Sequence, residues 1–361
     1  MQGILNISLK DIKSNWVALN NASNGKASAV IKANAYGMGM LKIAQALNEV
    51  GCNYFYVASL NEGIELRKEL KSEKVKIAVF EGFLKGTEQT YIKFKLNPII
   101  NNLNQLKRLK RLVNHGYKIR TILNIDTGMN RLGFSQNEIK LLLQNKEFLN
   151  FVEWDFIMSH LANGHDIKNQ ENIKQLDKIL QFSKIIPNLK LSLANSAGIL
   201  LGSKFCLDQT RPGIGLYGID NFGNNIELNS KSLKFPLSLL GPVIQVREVD
   251  IGEKVSYGGI DITKRNSRLA TIGIGYADGW LRLLRANSTF LIMQKTCNII
   301  GNVTMDSFVL DITNLKEKLL KEGEYLCLLD NTNIKNTLNN LDLISYELLT
   351  LMGDRLIRKY S

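Results

Sequence analysis

The chain has 361 residues, enough for about two domains of ordinary size with full hydrophobic cores. At 45% hydrophobic and 22% charged it reads as globular, and no apolar run nears the roughly 18 residues of a membrane span, which excludes disorder and membrane spanning. The net charge of +13, from 46 Lys and Arg against 33 Asp and Glu, fits nucleic acid, an acidic small ligand or a lysine- and asparagine-rich proteome, and does not choose among them. The start, MQGILNISLK, lacks a basic n-region, an apolar h-region and a cleavage site, so a cytoplasmic location is expected. Cys52, Cys206, Cys297 and Cys327 form no CxxC pair, so reduced thiols and no metal site are expected.

From residue 28 to about 218 short β-branched apolar runs alternate with amphipathic segments, the pattern of a parallel sheet. Strands are expected over 27–33, 54–58, 76–80, 97–100, 119–125, 153–159, 189–194 and 213–217, with helices over 60–70, 102–114, 136–142 and 168–185. Eight strands with helices between them fit a (β/α)8 barrel better than an open sheet. After about residue 235 alternating runs at 243–249, 268–274, 289–294 and 308–312, separated by Gly and Asn turns, predict an antiparallel β domain, closed by a helix near 338–349. The fold class is therefore α/β, with a barrel domain over 1–234 and a mainly antiparallel β domain over 235–361.

Barrel chemistry collects at the C-terminal ends of strands, with phosphate often held after strands seven and eight. Lys32 follows the first run (VIKANAYGMG), Arg131 the fifth (DTGMNRLGF), and His160 ends the sixth (MSHLANGHD). Asn195 and Ser196 follow the seventh, and Arg211 with Gly213 and Ile214 leads into the eighth, where a hydroxyl and small residues with free N–H groups suit an anion. A lysine ending an apolar strand ordinarily snorkels to the rim. Here Tyr36, Gly37 and Gly39 follow it, and a lysine facing a phosphate nest suggests a Schiff base to pyridoxal 5'-phosphate.

VIKANAYGMG, NIDTGMNRLGF, MSHLANGHD, LANSAG, RPGIGLYG, VSYGG, IGIGYADGW, NVTMDSF and ISYE resemble, in order and spacing, the motifs of the alanine racemases. The resemblance covers nearly the whole chain. VIKANAYGMG is shared loosely with other barrel-type pyridoxal phosphate proteins, whereas IGYADGW followed by MDSF is specific to the racemases.

The resemblance implies interconversion of L- and D-alanine, supplying D-alanine for peptidoglycan. Lys32 would carry the cofactor and act as one base, and Tyr276 would be the second base on the opposite face of the α-carbon. Tyr36, Ser196, Tyr346 and the N–H groups of Gly213 and Ile214 would hold the phosphate, with Asn195 and His160 beside the cofactor. Arg211 would meet the pyridine nitrogen, which then stays unprotonated because a guanidinium does not readily give up a proton. Arg131 and the Met305 backbone would hold the substrate carboxylate, and Asp306 reads as an orienter, not a base. Free Tyr and Lys titrate near about 10 and 10.4, so both bases need lowering, and His160 and Arg211 are the expected sources of positive charge. The family completes each site across a head-to-tail homodimer, which is expected here too.

This chain has Asn124 where many members carry a carbamylated lysine, so Arg131 must be oriented otherwise, a bound anion such as chloride being one candidate. Thr304 replaces a frequent cysteine, and Ser192 a histidine found in some members. A broader amino-acid racemase acting on serine, lysine or arginine is the alternative, with selectivity set around Tyr346, Ile344 and Met305. A nucleic-acid reading rests on Lys107, Arg108, Lys110, Arg111, Lys118 and Arg120, but a solvated helix face explains these better. Barrel proteins of cofactor homeostasis lack the second domain.

Overall fold

The computed structural model describes residues 1–144, 147–185, 189–219, 227–228, 231–285, 289–292, 295–316, 320–334 and 345–361. Residues 293–294 of the expected strand and 338–344 of the expected closing helix, Ile344 among them, lie outside the described residues. The chain forms two compact units that are not separated by one cut. One gathers Asp11–Ala35 and Met40–Lys234, and the other Met1–Lys10, Tyr36–Gly39 and Phe235–Ser361.

The first strand, β1 (Ile4–Ile7), belongs to the second unit. The first unit is a parallel barrel of β2 (Ala29–Val30), β3 (Tyr54–Val57), β4 (Lys76–Val79), β5 (Asn97–Ile100), β6 (Arg120–Asn124), β7 (Glu153–Met158), β8 (Leu191–Asn195) and β9 (Gln209–Arg211), in that order. A parallel bridge from Ala27 to Thr210 and the Val30 N–H donated to the Pro212 carbonyl (2.9 Å) close it. Val30, Tyr56, Ala78, Ile99, Ile122, Phe156 and Met158 pack its interior. Strands covered on both faces need continuous apolar runs, which is why they stood out in the sequence.

The outer helices form where the amphipathic pattern predicts, at Leu60–Leu70, Leu103–Asn114, Gln136–Gln144 and Glu171–Ile185. Ser59 and Glu62 make a reciprocal capping box at the start of the first. In Leu103–Asn114 the buried face is Gln105, Leu106, Leu109 and Leu112. Among the basic residues of that stretch, Arg108 donates to the Phe83 carbonyl (3.2 Å) and Arg120 pairs with Glu153 (2.9 Å), so part of the charge holds the barrel's outer wall.

The eighth strand differs from expectation. Residues 213–217 are not extended; Ile214–Tyr217 is a buried 3₁₀ turn, and the strand is β9, ending at Arg211. Pro212 offers no N–H to continue the ladder, and a short apolar run such as IGLY has no periodicity that separates strand from turn.

The second unit is built on β12 (Leu237–Val249), which follows the short hairpin β10 (Glu227–Leu228) and β11 (Lys231–Ser232). After it come β13 (Lys254–Val255), β14 (Asp261–Ile262), β15 (Ser267–Ile272), β16 (Thr289–Ile292), β17 (Lys295–Ile300), β18 (Phe308–Asp311), β19 (Tyr325–Leu329) and β20 (Ile357–Tyr360). Sheet order is β16-β17-β18-β15-β12-β1-β20, with β19 also on β12, and the pairings are antiparallel except β1 with β20. The N-terminal residues join this sheet because β1 fills the position between β12 and β20.

At the N-terminal ends of the barrel strands Asp155, its side chain 8% exposed, accepts from Lys76 Nζ (2.9 Å), Asn97 Nδ2 (3.0 Å) and Tyr54 Oη (3.2 Å). Conservation of the fold, not chemistry, is the role of that end of a barrel. Asp155→Ala strands three donors, so it is expected to lower unfolding free energy by about 1–3 kcal/mol in urea titration, with kcat per folded molecule unchanged.

Candidate active site

The chemistry-bearing residues of the barrel unit cluster around Arg211, at the C-terminal end of β9. Its side chain is buried, 2% exposed, and its Nη atoms donate to Ser192 Oγ, the Ser159 carbonyl and the Leu193 carbonyl. Ser192 in turn donates to the Gln209 carbonyl (2.8 Å). The third donor, Arg211 Nε, is buried without a partner among the described residues. Burial draws the guanidinium below its ordinary pKa, with the Tyr56 phenol opposing, yet it keeps every proton as a donor at physiological pH.

Ser196 opens the short helix Ser196–Leu200, capped by Asn195, whose Oδ1 accepts the Gly198 N–H (2.9 Å). Ser196 Oγ accepts the N–H groups of Gly213 (2.9 Å) and Gly215 (3.0 Å), which folds the segment after β9 onto the segment after β8. Ile214 begins a 3₁₀ turn, where the first N–H groups have no acceptor within the turn. A hydroxyl and the start of a 3₁₀ turn thus lie together, with the Gly213 and Gly215 N–H groups already engaged by Ser196.

His160 is held through its backbone, its carbonyl accepting from Gln175 Nε2 (2.9 Å), which also reaches Thr127 Oγ1 (3.0 Å). Asn195 Nδ2 lies 3.4 Å from His160 Nε2. Burial first, then the charges of Arg211, Arg131 and Lys32, bring its pKa down to about 3. The expectation that His160 supplies positive charge is therefore corrected: burial in the first place, and the neighbouring cations in the second, disfavour the charged imidazole.

Lys32 starts a turn that no sequence pattern announces. Ala33, Asn34, Ala35 and Tyr36 all have φ between 52° and 55°, a left-handed helical turn built from non-glycine residues. Each such residue costs about 1–2 kcal/mol, so the turn persists only because its surroundings hold it. Glu62 does part of this: Oε1 accepts the Ala33 N–H (2.6 Å) while Oε2 accepts the Ala58 (2.7 Å) and Ser59 (3.2 Å) N–H groups. Asn34 Oδ1 accepts the Met40 N–H (2.8 Å). The Lys32 ammonium is pushed below the ordinary lysine range by burial and by the Arg131 charge, against the pull of Glu62. That is the direction a lysine base needs.

Arg131 lies on the exposed loop after β6, which Asp126 braces by accepting the Gly128 (2.8 Å) and Met129 (2.9 Å) N–H groups. Among the described residues no hydrogen bond or ion pair holds its guanidinium. Asn124 donates to Asn101 Oδ1 (2.7 Å), so it is tied into the neighbouring strand and does not orient Arg131.

The remaining candidates belong to the second unit. Tyr36 is buried and its ring lies 6.2 Å from that of Tyr346; burial, then the Tyr346 phenol, hold its hydroxyl well above the ordinary range, so it stays protonated and can donate. Gly37, at φ 83°, meets the Leu349 carbonyl where a Cβ would stand, and the Arg358 Nε donates to the Gly37 carbonyl (2.9 Å). Tyr276 sits on the 3₁₀ turn Tyr276–Asp278, its N–H donated to the Thr304 carbonyl (3.0 Å) and that of Ala277 to the Met305 carbonyl (3.0 Å). Gly275 is needed there because a Cβ would meet both carbonyls. Tyr276 and Met305 are thereby neighbours, 42% and 53% exposed. Thr304 Oγ1 donates to the Ser307 carbonyl (2.8 Å), a role confined to its own turn.

The residues that hold others carry no role in the sequence: Ser159 on Arg211, Glu62 under the Lys32 turn and Gln175 behind His160 go unnamed there, and Ser192, noted only as replacing a histidine, accepts from Arg211. Ser, Glu and Gln at these spacings carry no signal of their own. Groups of three or more His, Cys, Asp or Glu able to hold a metal are absent among the described residues. Among them, too, no helix is long and apolar enough to cross a membrane.

The chain matches the models of the alanine racemase N-terminal domain over residues 7–221 and of the alanine racemase C-terminal domain over 237–360. It is 38% identical to the alanine racemase of Brucella canis, covering 99% of this chain and 93% of that protein, and 35% identical to that of Rickettsia bellii, covering 94% and 82%. The crystal structure of alanine racemase from Bartonella henselae with covalently bound pyridoxal phosphate superimposes with a TM-score of 0.93 at 35% identity, covering the whole of both chains.

Because His160 is neutral in the fold and titrates near its ordinary 6.5 when unfolded, the unfolded chain binds the extra proton. Its contribution is complete above about pH 6.5 and is lost as pH falls toward about 3, at up to about 1.4 kcal/mol per pH unit. Denaturant titrations between pH 7 and pH 4 are expected to show this slope, and His160→Asn is expected to flatten it.

Proposed function

The chain belongs to the alanine racemase family and interconverts L- and D-alanine with pyridoxal phosphate, and we propose that it does so with Lys32 and Tyr276 as bases on opposite faces of the substrate α-carbon. The observation that carries the assignment of residues is the buried, unpartnered Nε of Arg211. Arg211 Nε, a donor that the protein's own carbonyls and hydroxyls leave unused, would hold the cofactor's pyridine nitrogen, which is an acceptor. When bound, the cofactor supplies the electron sink that makes the α-proton of alanine removable. Since a guanidinium keeps its proton, Arg211 limits that sink, which favours return of the proton to carbon over transamination.

Phosphate binding falls to Tyr36, Tyr346, Ser196 and the N–H groups of Gly213 and Ile214, with Asn195 shaping the turn and His160 offering a neutral ring. Tyr36 suits this because its phenol stays protonated. Arg131 and the Met305 backbone hold the substrate carboxylate. Lys32, its pKa lowered, takes or returns the proton on one face, and Tyr276 does so on the other. The expected division at residue 234 is thereby modified: the unit of Asp11–Ala35 and Met40–Lys234 supplies Lys32, Arg211 and Ser196, and the unit of Met1–Lys10, Tyr36–Gly39 and Phe235–Ser361 supplies Tyr36, Tyr346 and the opposing base.

We place the two halves of each site on different copies of a homodimer, in the cytoplasm, where D-alanine for peptidoglycan is made. Tyr276 and Met305 are large residues left exposed on one short turn pair, as residues serving a neighbouring copy's site must be.

Lys32→Ala is expected to abolish the absorbance near about 420 nm of the cofactor-loaded protein and to cost about 10²–10⁴-fold in racemisation; an unchanged spectrum refutes the role of Lys32. Mixing Lys32→Ala with Tyr276→Phe subunits is expected to restore part of the activity, and no recovery refutes the shared site. A panel of amino acids including serine, lysine and arginine is expected to show alanine turned over fastest.

A further inference from the structure

The turn that carries Tyr276 is tied to the Met305 segment by more than backbone. Asp278 closes that turn: Oδ2 accepts the Gly275 N–H (2.9 Å) and Oδ1 lies 3.1 Å from Arg355 Nε. The same guanidinium donates from Nη1 to Asp306 Oδ1 at 2.6 Å, and Asp306 follows Met305 directly. Arg355 comes from the segment that also packs under the turn, where the Gly353 N–H reaches the Asp278 carbonyl (3.3 Å) and Gly279, at φ 98°, lies against the Leu351 carbonyl.

We propose that Arg355 is a positioning residue for racemisation: its guanidinium joins the Asp278 carboxylate on the Tyr276 turn to the Asp306 carboxylate beside Met305, so that the second base and the backbone that seats the substrate carboxylate keep one spacing. This rests on the two-base reading above. Arg355 is 51% exposed at its side chain and Asp306 64%, and a pair that exposed adds little to stability. What it adds is direction. A planar fork with donors on Nε and Nη1 engages two carboxylates at a set angle, which a lysine ammonium does not. Asp278 is buried, 5% exposed at its side chain, and divides its two oxygens between the Gly275 N–H and Arg355, so the arm toward Tyr276 is rigid while the arm toward Asp306 is the adjustable one. Small errors of aim at a proton-transferring group cost far more in rate than in folding.

The test uses the cofactor-loaded protein in D2O, following loss of the α-proton from each alanine enantiomer separately. Tyr276→Phe first identifies the enantiomer that this residue serves, as the one whose exchange is silenced. Arg355→Lys, which keeps the charge but loses the fork, and Asp306→Asn, which leaves the buried Asp278 contact intact, are each expected to slow that enantiomer about tenfold while the other stays within about twofold, with KM raised for both. Equal slowing of both enantiomers, or none, overturns the proposal while leaving Tyr276 as a base. Silencing of neither enantiomer by Tyr276→Phe overturns the two-base reading, and the role of Arg355 with it.

Discussion

A guanidinium removed from water needs acceptors for its five N–H donors, and around Arg211 the barrel supplies three. Ser192, the Ser159 carbonyl and the Leu193 carbonyl come from two neighbouring strand ends, so the charge fixes how those ends meet. Burial disfavours a charged His160, and the Arg211 charge nearby adds to that, so the imidazole is neutral. The Nε donor, buried without a partner among the described residues, points to an acceptor supplied from outside the chain. Structure and chemistry share a single residue here: the acceptors that keep Arg211 in the barrel also decide which of its N–H groups is offered to a ligand.

The Lys32 turn shows the same economy in the backbone. Four consecutive non-glycine residues in the left-handed region are tolerated because Glu62 and Asn34 take up N–H groups that the turn would strand. Glu62 is at once the N3 residue of a capping box and the anchor of that turn, so the start of one outer helix is coupled to the placement of the lysine. Burial first and the Arg131 charge second then lower the lysine's pKa, against the pull of Glu62.

The two ends of the barrel divide their tasks. Asp155 gathers Lys76, Asn97 and Tyr54 at the N-terminal ends of the strands, a network that stabilises, whereas Arg211, Ser196 and His160 stand at the C-terminal ends. Some of the basic residues are structural in the same way, as Arg120 is in its pair with Glu153 and Arg108 on the Phe83 carbonyl. The excess that first admitted nucleic acid as a partner is in part structural and in part site chemistry.

Chain order, the period of apolar residues and the motifs made the barrel, seven of its eight strands and the candidates Lys32, Arg131, His160, Arg211 and Tyr276 legible, because burial on both faces of a parallel strand and the need for special residues at strand ends leave marks in one dimension. The eighth strand was misplaced by four to six residues, since IGLY is apolar whether it lies in a strand or a 3₁₀ turn and only the Pro212 break decides. Tertiary structure alone decided that the first ten residues belong to the second unit, with Ile4–Ile7 in its sheet, that Lys32 opens a left-handed turn, that His160 is neutral, and that Arg355 joins Asp278 to Asp306. Each of these depends on groups far apart in the chain meeting in a place with little water, where distance and burial, which a sequence does not carry, set the energy.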